Sequence, residues 1–191
     1  MELALQQKLV AQLASDRAFR ETFFADPARV APSEGLTGAG EALSQSHCEQ
    51  LRQFARVLQH RRLAQVGELL PLTHKALGTR FADLFHNYAI TPPSGTRPCE
   101  DALGFVRHLK QHAATEGLEP AWSLSLARYE AAQIEATWLD ERLVFRCLPH
   151  AVRKLSALLA AGDVPAGSYR RLSLALWWRT STRSRLKHWL R

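Results

Sequence analysis

The stretch RLSLALWWR, residues 171–179, decides the fold class of this chain. Every second residue from Leu172 to Trp178 is large and apolar, and most of the intervening residues are smaller. A period of two residues is typical of a β-strand with one buried face. The pattern therefore predicts a strand whose leucines and Trp178 pack in the core, while Trp177 lies on the opposite face.

Two further segments have the same two-residue period. It recurs from Arg142 to Cys147 and again from Arg185 to Arg191. Residues 180–183 are turn-like, so the last two strands should form a hairpin. Residues 152–161 fit either a strand or one face of a short helix. The C-terminal region is thus predicted to be a small antiparallel sheet of about three strands.

Helical periodicity dominates the chain before residue 139. Apolar residues recur there at three- and four-residue spacing, and the clearest break is Thr91-Pro92-Pro93-Ser94-Gly95, where consecutive prolines exclude helix. We therefore predict an α+β protein with a helical domain at 1–138 and a small basic β-sheet domain at 139–191. Because three strands are not stable alone, helices should cover one face of the sheet.

The positive charge is concentrated at the C-terminal end. Residues 142–191 hold eleven Lys and Arg and a single acid, Asp163, which gives +10 and leaves −3 for the rest of a chain whose total is +7. Such a region favours acidic or phosphate-bearing partners. No apolar run reaches the roughly 18 residues of a membrane helix, and the N-terminal residues lack a signal-peptide pattern. We therefore expect a cytoplasmic protein.

No combination of residues in the sequence predicts an active site. His108 and His112 are one helical turn apart, but the Glu of the zincin motif does not follow His108. The cysteines Cys48, Cys99 and Cys147 form no Cys-x-x-Cys pair. Four acids are expected on solvated helix faces: Glu116, Glu119, Glu130 and Glu135. We predict no catalytic residues, no metal ligands and no cofactor in this chain.

Two segments resemble the core motifs of a bacterial family of partner proteins. They are LPLTHKALGTRFADLFHNYA at 70–89 and the strand at 171–179. Members of that family accompany multinuclear non-heme iron oxidases that modify ribosomally made peptides, including those of methanobactin biosynthesis. The family places a helical half before a small C-terminal sheet. The resemblance covers roughly residues 45–190 of this chain.

The resemblance implies a non-catalytic subunit of an oxidoreductase complex. In the methanobactin system, the iron enzyme and its partner form a heterodimer that converts precursor cysteines to oxazolone and thioamide groups with molecular oxygen. The iron belongs to the oxidase, and the partner protein helps to recognise the leader of the precursor. We therefore expect two partners for this chain: an iron oxidase subunit, which should contact an apolar helical surface, and a leader peptide.

The C-terminal sheet is the predicted leader-binding surface. An extended peptide can add a strand to a free sheet edge, and side-chain pockets then give specificity. Arg183, Arg185 and Lys187 are expected near acidic leader residues. Trp177 and Trp189 are expected near apolar ones, although burial of Trp177 under the helices fits the pattern equally well.

A basic nucleic-acid-binding or transcription-associated protein is the alternative class. The net charge of +7 and the aromatic residues among arginines fit phosphate contacts and base stacking. However, the sequence contains no recognisable helix-turn-helix, zinc-finger or aromatic RNA-binding motif. The absence of these motifs favours peptide binding.

Overall fold

The computed structural model describes residues 12–13, 16–26, 29–30, 45–89, 97–139, 141–163, 165–180 and 184–191. Within them the chain forms seven helices: α1 (Arg17–Ala25), α2 (Gln45–Leu69), α3 (Pro71–Leu77), α4 (Thr79–Tyr88), α5 (Pro98–Thr115), α6 (Ser123–Trp138) and α7 (Val152–Ala161). The same residues form three strands: β1 (Leu143–His150), β2 (Arg170–Trp178) and β3 (Lys187–Leu190). This order confirms the predicted α+β class, and α7 identifies residues 152–161 as a helix.

The chain divides into two compact units. The first comprises Met1–Ala64 and Phe85–Pro93, and the second comprises Gln65–Leu84 and Ser94–Arg191. The second unit joins α3, α5 and α6 of the predicted helical domain to the whole sheet. The predicted domain boundary after residue 138 therefore lies inside the second unit.

Aromatic side chains and a local cap stabilise the described part of the first unit. The Asp16 carboxylate accepts a hydrogen bond from the Phe19 backbone N–H at 2.9 Å and so caps α1. Phe23 is fully buried, and its ring centroid lies 6.0 Å from that of Phe19 and 5.5 Å from that of Phe24. Asp16 therefore begins a helix that buries Phe23.

Helix α6 is the centre of the second unit. It packs against α3, α5, α7, β1 and β2. Leu126, Ala127, Ala132 and Ala136 on this helix are completely buried. The alanines allow neighbouring elements to approach closely, and burial on several sides explains why α6 has no simple one-sided apolar pattern.

The sheet is antiparallel, with the order β1-β2-β3. Helices α6 and α7 cover one of its faces, which we call the inner face. Its buried side chains from β1 and β2 are Val144, Leu148, His150, Ser173, Ala175 and Trp177. The expectation that helices cover one face of the sheet is thus confirmed.

Strand β2 faces the opposite way to the sequence prediction. Ala175 and Trp177 are buried, whereas Leu172 is 62% exposed and Trp178 is half-buried. The prediction that the leucines and Trp178 form the core is therefore wrong. One physical reason lies in Ser173, whose Oγ accepts a hydrogen bond from the Val152 N–H at 3.2 Å. Val152 begins α7, which has no side-chain cap of its own, so the serine must point inward.

The Glu130 carboxylate joins α6 to the start of α3. Its Oε1 accepts a hydrogen bond from the Leu72 N–H at 2.6 Å, and Oε2 accepts from the Thr73 N–H at 2.9 Å and from Thr73 Oγ1 at 2.6 Å. Leu70, at the N-cap of α3, offers no side-chain acceptor. The expectation that Glu130 lies on a solvated face is wrong, because the residue is 5% exposed and burial raises its pKa to about 7.

Replacing Glu130 by alanine should lower the free energy of unfolding by about 3 kcal/mol, because buried N–H and hydroxyl groups would lose their acceptor. Urea unfolding followed by circular dichroism measures this loss. Glu135→Ala is the matched control, since Glu135 is on the same helix but pairs with Arg146 at a half-exposed position. The control should cost about 1 kcal/mol or less. Equal losses in both variants would contradict the capping role.

The same carboxyl group predicts a pH dependence of stability. Its pKa is about 7 in the folded chain against an ordinary value of 4.5. As the pH rises, the unfolded chain therefore releases this proton first, and stability is lost as the pH passes through the folded-state pKa. We expect the stability difference between wild type and Glu130→Gln to change between about pH 4.5 and pH 7 in this direction. A constant difference across that range would be inconsistent with the raised pKa.

Candidate functional site

The face of the sheet turned away from α6 and α7 is the candidate functional site, and we call it the outer face. Cross-strand pairing places every second side chain of each strand on this face. They are Leu143, Phe145 and Cys147 from β1, Leu172, Leu174, Leu176 and Trp178 from β2, and Lys187, Trp189 and Arg191 from β3 and its end.

Large apolar side chains of the outer face are exposed. Leu143 is 66% exposed, Phe145 53%, Leu172 62% and Trp189 43%. Single exposed apolar residues are ordinary, but several on one contiguous face indicate an interaction surface. The outer face therefore has the character of a binding surface.

Cations border the outer face along β3. Lys187 and Arg191 flank Trp189 at two-residue spacing, and both are exposed. The sequences of the three strands contain no aspartate or glutamate. The outer face is thus apolar across β1 and β2 and cationic at β3, which suits a partner with apolar and acidic groups.

Among the described residues, no strand pairs with the outer edge of β3. Leu174 N–H donates to the Arg191 carbonyl at 2.9 Å, and Arg191 N–H donates to the Leu174 carbonyl at 3.0 Å. In an antiparallel pair, residues bonded in this way alternate with residues whose backbone groups point to the other side. His188 and Leu190 therefore direct their N–H and C=O groups away from β2, since β3 is an edge strand.

Strand β1 forms the other edge of the sheet. The Arg179 N–H donates to the Arg142 carbonyl at 3.0 Å, so the alternation turns the backbone groups of Phe145 and Cys147 away from β2. Pro149 lies near the end of this edge and has no N–H to donate. This edge can therefore accept a shorter added strand than its eight residues suggest.

Trp177 lies on the inner face, away from any peptide on the surface. It is 1% exposed, and its ring packs 5.2 Å from Tyr129 and 4.8 Å from His188, centroid to centroid. This placement corrects the expectation that Trp177 contacts the leader. Its indole is needed instead to fill the space between β2 and helix α6.

Three other predicted leader-binding residues lie on β3 or just before it. Lys187 and Trp189 share that face, and Arg185 is exposed just before β3. Arg183 lies outside the described residues. The structure thus brings together two of the five predicted residues, and it adds apolar residues of β1 and β2 that the sequence reasoning had placed in the core or had not considered as a site.

The two histidines considered above as metal ligands lie on helix α5. The rings of His108 and His112 stack with centroids 6.4 Å apart, and His112 Nδ1 lies 3.3 Å from Glu116 Oε1. Burial, with the neighbouring His112, lowers the pKa of His108. In the part of the chain that the structure describes, no three potential ligands are placed to hold a metal ion, and no helix has the length and apolarity to span a membrane.

The two cysteines whose side chains the structure describes differ in exposure. Cys99 is buried at the start of α5, as expected for a structural thiol, whereas Cys147 is exposed on β1. The side chain of Cys48 lies outside the described residues.

Residues 36–111 match the model of a protein family described as SCO6045-like, C-terminal domain. The matched region is less than half of the chain and extends over α2, α3, α4 and most of α5. It includes the segment 70–89 but not the sheet, and the family description states no activity. No curated protein and no solved structure matches the chain.

The two tryptophans lie on opposite faces, and mutating them should lower stability by very different amounts. Trp177→Ala should lower the free energy of unfolding by about 4 kcal/mol, because it leaves a large cavity beside Tyr129. Trp189→Ala should cost about 1 kcal/mol or less, because the indole is partly exposed on an edge strand. Denaturant unfolding of both variants measures this difference. A larger loss of stability in Trp189→Ala than in Trp177→Ala would contradict the assignment of Trp177 to the inner face.

Proposed function

We propose that this chain is a non-catalytic partner subunit of a multinuclear non-heme iron oxidase, and that its C-terminal sheet binds the leader of a precursor peptide. In this proposal, the oxidase converts precursor cysteines to oxazolone and thioamide groups. The segments at 70–89 and 171–179 are most similar, in order and in overall chain size, to methanobactin biosynthesis cassette protein C. The complex would act in the cytoplasm, where ribosomes release the precursor.

The open edge of β3 is the observation that supports leader binding most directly. The outward N–H and C=O groups of His188 and Leu190 can pair with an extended peptide, which gives affinity without requiring a particular sequence. Alternate side chains of that peptide would then lie beside Lys187 and Trp189 on the outer face. Specificity would come from an apolar residue against the indole and acids near the cations.

The ion pairs in this arrangement would contribute little individually. Lys187 and Arg191 are exposed, so each contact with a leader carboxylate should be worth about 1 kcal/mol or less. Backbone pairing and apolar contact with Trp189 must therefore supply most of the affinity. This is why point mutations of single cations are a weaker test than changes to the strand edge.

Three sets of polar groups of the kind found in active sites make contacts within the fold. Glu130 caps α3, Glu135 pairs with Arg146, and the Ser125 Oγ lies 2.8 Å from Nδ1 of the buried His150. These roles are structural and agree with assigning the iron and the oxidation to the partner enzyme.

Nucleic-acid binding is the alternative, and the outer face argues against it. Nucleic acid is held mainly through phosphates, which require cations distributed over the contact surface. Here the exposed large side chains on the outer face of β1 and β2 include Leu143, Phe145 and Leu172, which are apolar. Exposed cations lie along β3 and, as Arg170 and Arg171, at the start of β2. Such an apolar face fits a peptide or protein better than a phosphate backbone.

Paired substitutions at His188 test the strand edge. His188→Pro removes the outward N–H and should weaken binding of the synthetic leader at least about tenfold, as expected for one lost hydrogen bond. His188→Ala is the matched control, because it loses the same ring but keeps the N–H. Fluorescence anisotropy measures both affinities, after circular dichroism has shown that both variants are folded. Equal affinities would place the leader elsewhere, such as on β1.

Oxygen consumption tests the assignment of roles. The purified chain alone should neither consume oxygen with a cysteine-containing precursor nor change the mass of that precursor. The co-expressed chain and iron oxidase should do both. Modification of the precursor by the purified chain alone would contradict the proposal.

A further inference from the structure

We propose that the outer face of β1 and β2 is a docking surface for a folded protein whose contact area is apolar and bordered by carboxylates. This inference rests on the proposed function, in which that protein is the iron oxidase subunit. It assigns oxidase docking to the sheet, whereas the sequence predicted an apolar helical surface.

The apolar side chains of β1 and β2 are arranged as facing pairs. Leu143 pairs with Trp178, and Phe145 pairs with Leu176, in the antiparallel register. Leu172 extends the same face along β2. Cross-strand neighbours of this kind form a continuous apolar surface, whose burial against a partner is favourable. Such a surface resembles the core of a protein interface more than a solvated sheet face.

A leader strand on β3 would not cover this surface. Neighbouring strands lie about 4.8 Å apart, so β1 is about 10 Å from β3 and about 14 Å from a strand added at the β3 edge. The added strand would reach Trp189 and its flanking cations, but Leu143 and Phe145 on β1 would stay exposed. The apolar face therefore requires a second, larger partner.

Charge favours a different protein over a second copy of this chain as that partner. Lys187 and Arg191 share the outer face, and the strands contain no acid to oppose them. A second copy would bring like charges to the same border. A surface bordered by carboxylates would complement these cations while its apolar centre covered Phe145 and Leu172.

Two phenylalanines allow a matched test of the two docking surfaces. Phe145, on the outer face, is 53% exposed, and Phe54, on α2, is 47% exposed. Phe145→Asp should weaken association with the co-expressed iron oxidase at least about 100-fold, as expected for a central interface residue. Phe54→Asp should change it by less than about threefold. A loss confined to Phe54→Asp, or no loss in either folded variant, would overturn the inference.

Cys147 provides a second readout on the same face. With Cys48 replaced by serine, Cys147 is the exposed thiol and Cys99 is the buried internal control. Cys147 should react rapidly with iodoacetamide in the free chain and at least about tenfold more slowly in the oxidase complex. Slow reaction of the free chain at every concentration would mean that the chain covers this face itself. Slowing only at high concentration, with a dimeric mass, would mean a second copy. Either result would overturn the inference.

Leader affinity separates this inference from the proposed function. Phe145→Asp should bind the synthetic leader as wild type does, because the β3 edge is unchanged. If the oxidase binds wild type and Phe145→Asp equally, the docking surface is elsewhere and the partner function stands. If the oxidase does not associate with wild type at all, both the docking surface and the partner function are overturned.

Discussion

The close packing of β2 against α6 is the constraint on which the rest of the second unit depends. Ser173 and Ala175 are small enough for the helices to approach, and Trp177 fills the space beside Tyr129. Ser173 also satisfies the first N–H of α7. With these residues inward, alternation along the strand leaves Leu172 and its apolar neighbours outside, and the outer face exists for that reason.

Sequence periodicity predicted the helical half, the antiparallel strands and their α+β order, because each depends on local spacing. It could not predict which face of β2 is buried, since counting apolar residues favours the leucines over Ser173 and Ala175. The role of Glu130 was also missed, because its partner Thr73 is 57 residues away in the sequence. The sequence did contain one relevant signal: α3 and α7 begin without a local side-chain cap. Their first backbone N–H groups must therefore find acceptors elsewhere in the fold.

Of the five residues predicted to bind the leader, two lie together on the outer face and Trp177 is buried in the core. Lys187 and Trp189 lie together as expected, but the alternation alone could not assign Trp177 to the core or Phe145 to the surface. The family match at residues 36–111 concerns the helices and does not extend to the sheet. The proposals of leader binding at the β3 edge and oxidase docking on the outer face therefore depend on the geometry of the sheet and on the resemblance of its motifs.

Amide hydrogen exchange in the sheet, with and without the leader peptide, tests the central claim most directly. In the free chain, the His188 and Leu190 amides should exchange rapidly, while the Trp189 amide, which faces β2, should already be protected. Saturating leader should slow exchange at His188 and Leu190 at least about tenfold and leave Trp189 little changed. If bound leader left the His188 and Leu190 amides unprotected, the β3 edge would not be its binding site, and the account would be contradicted.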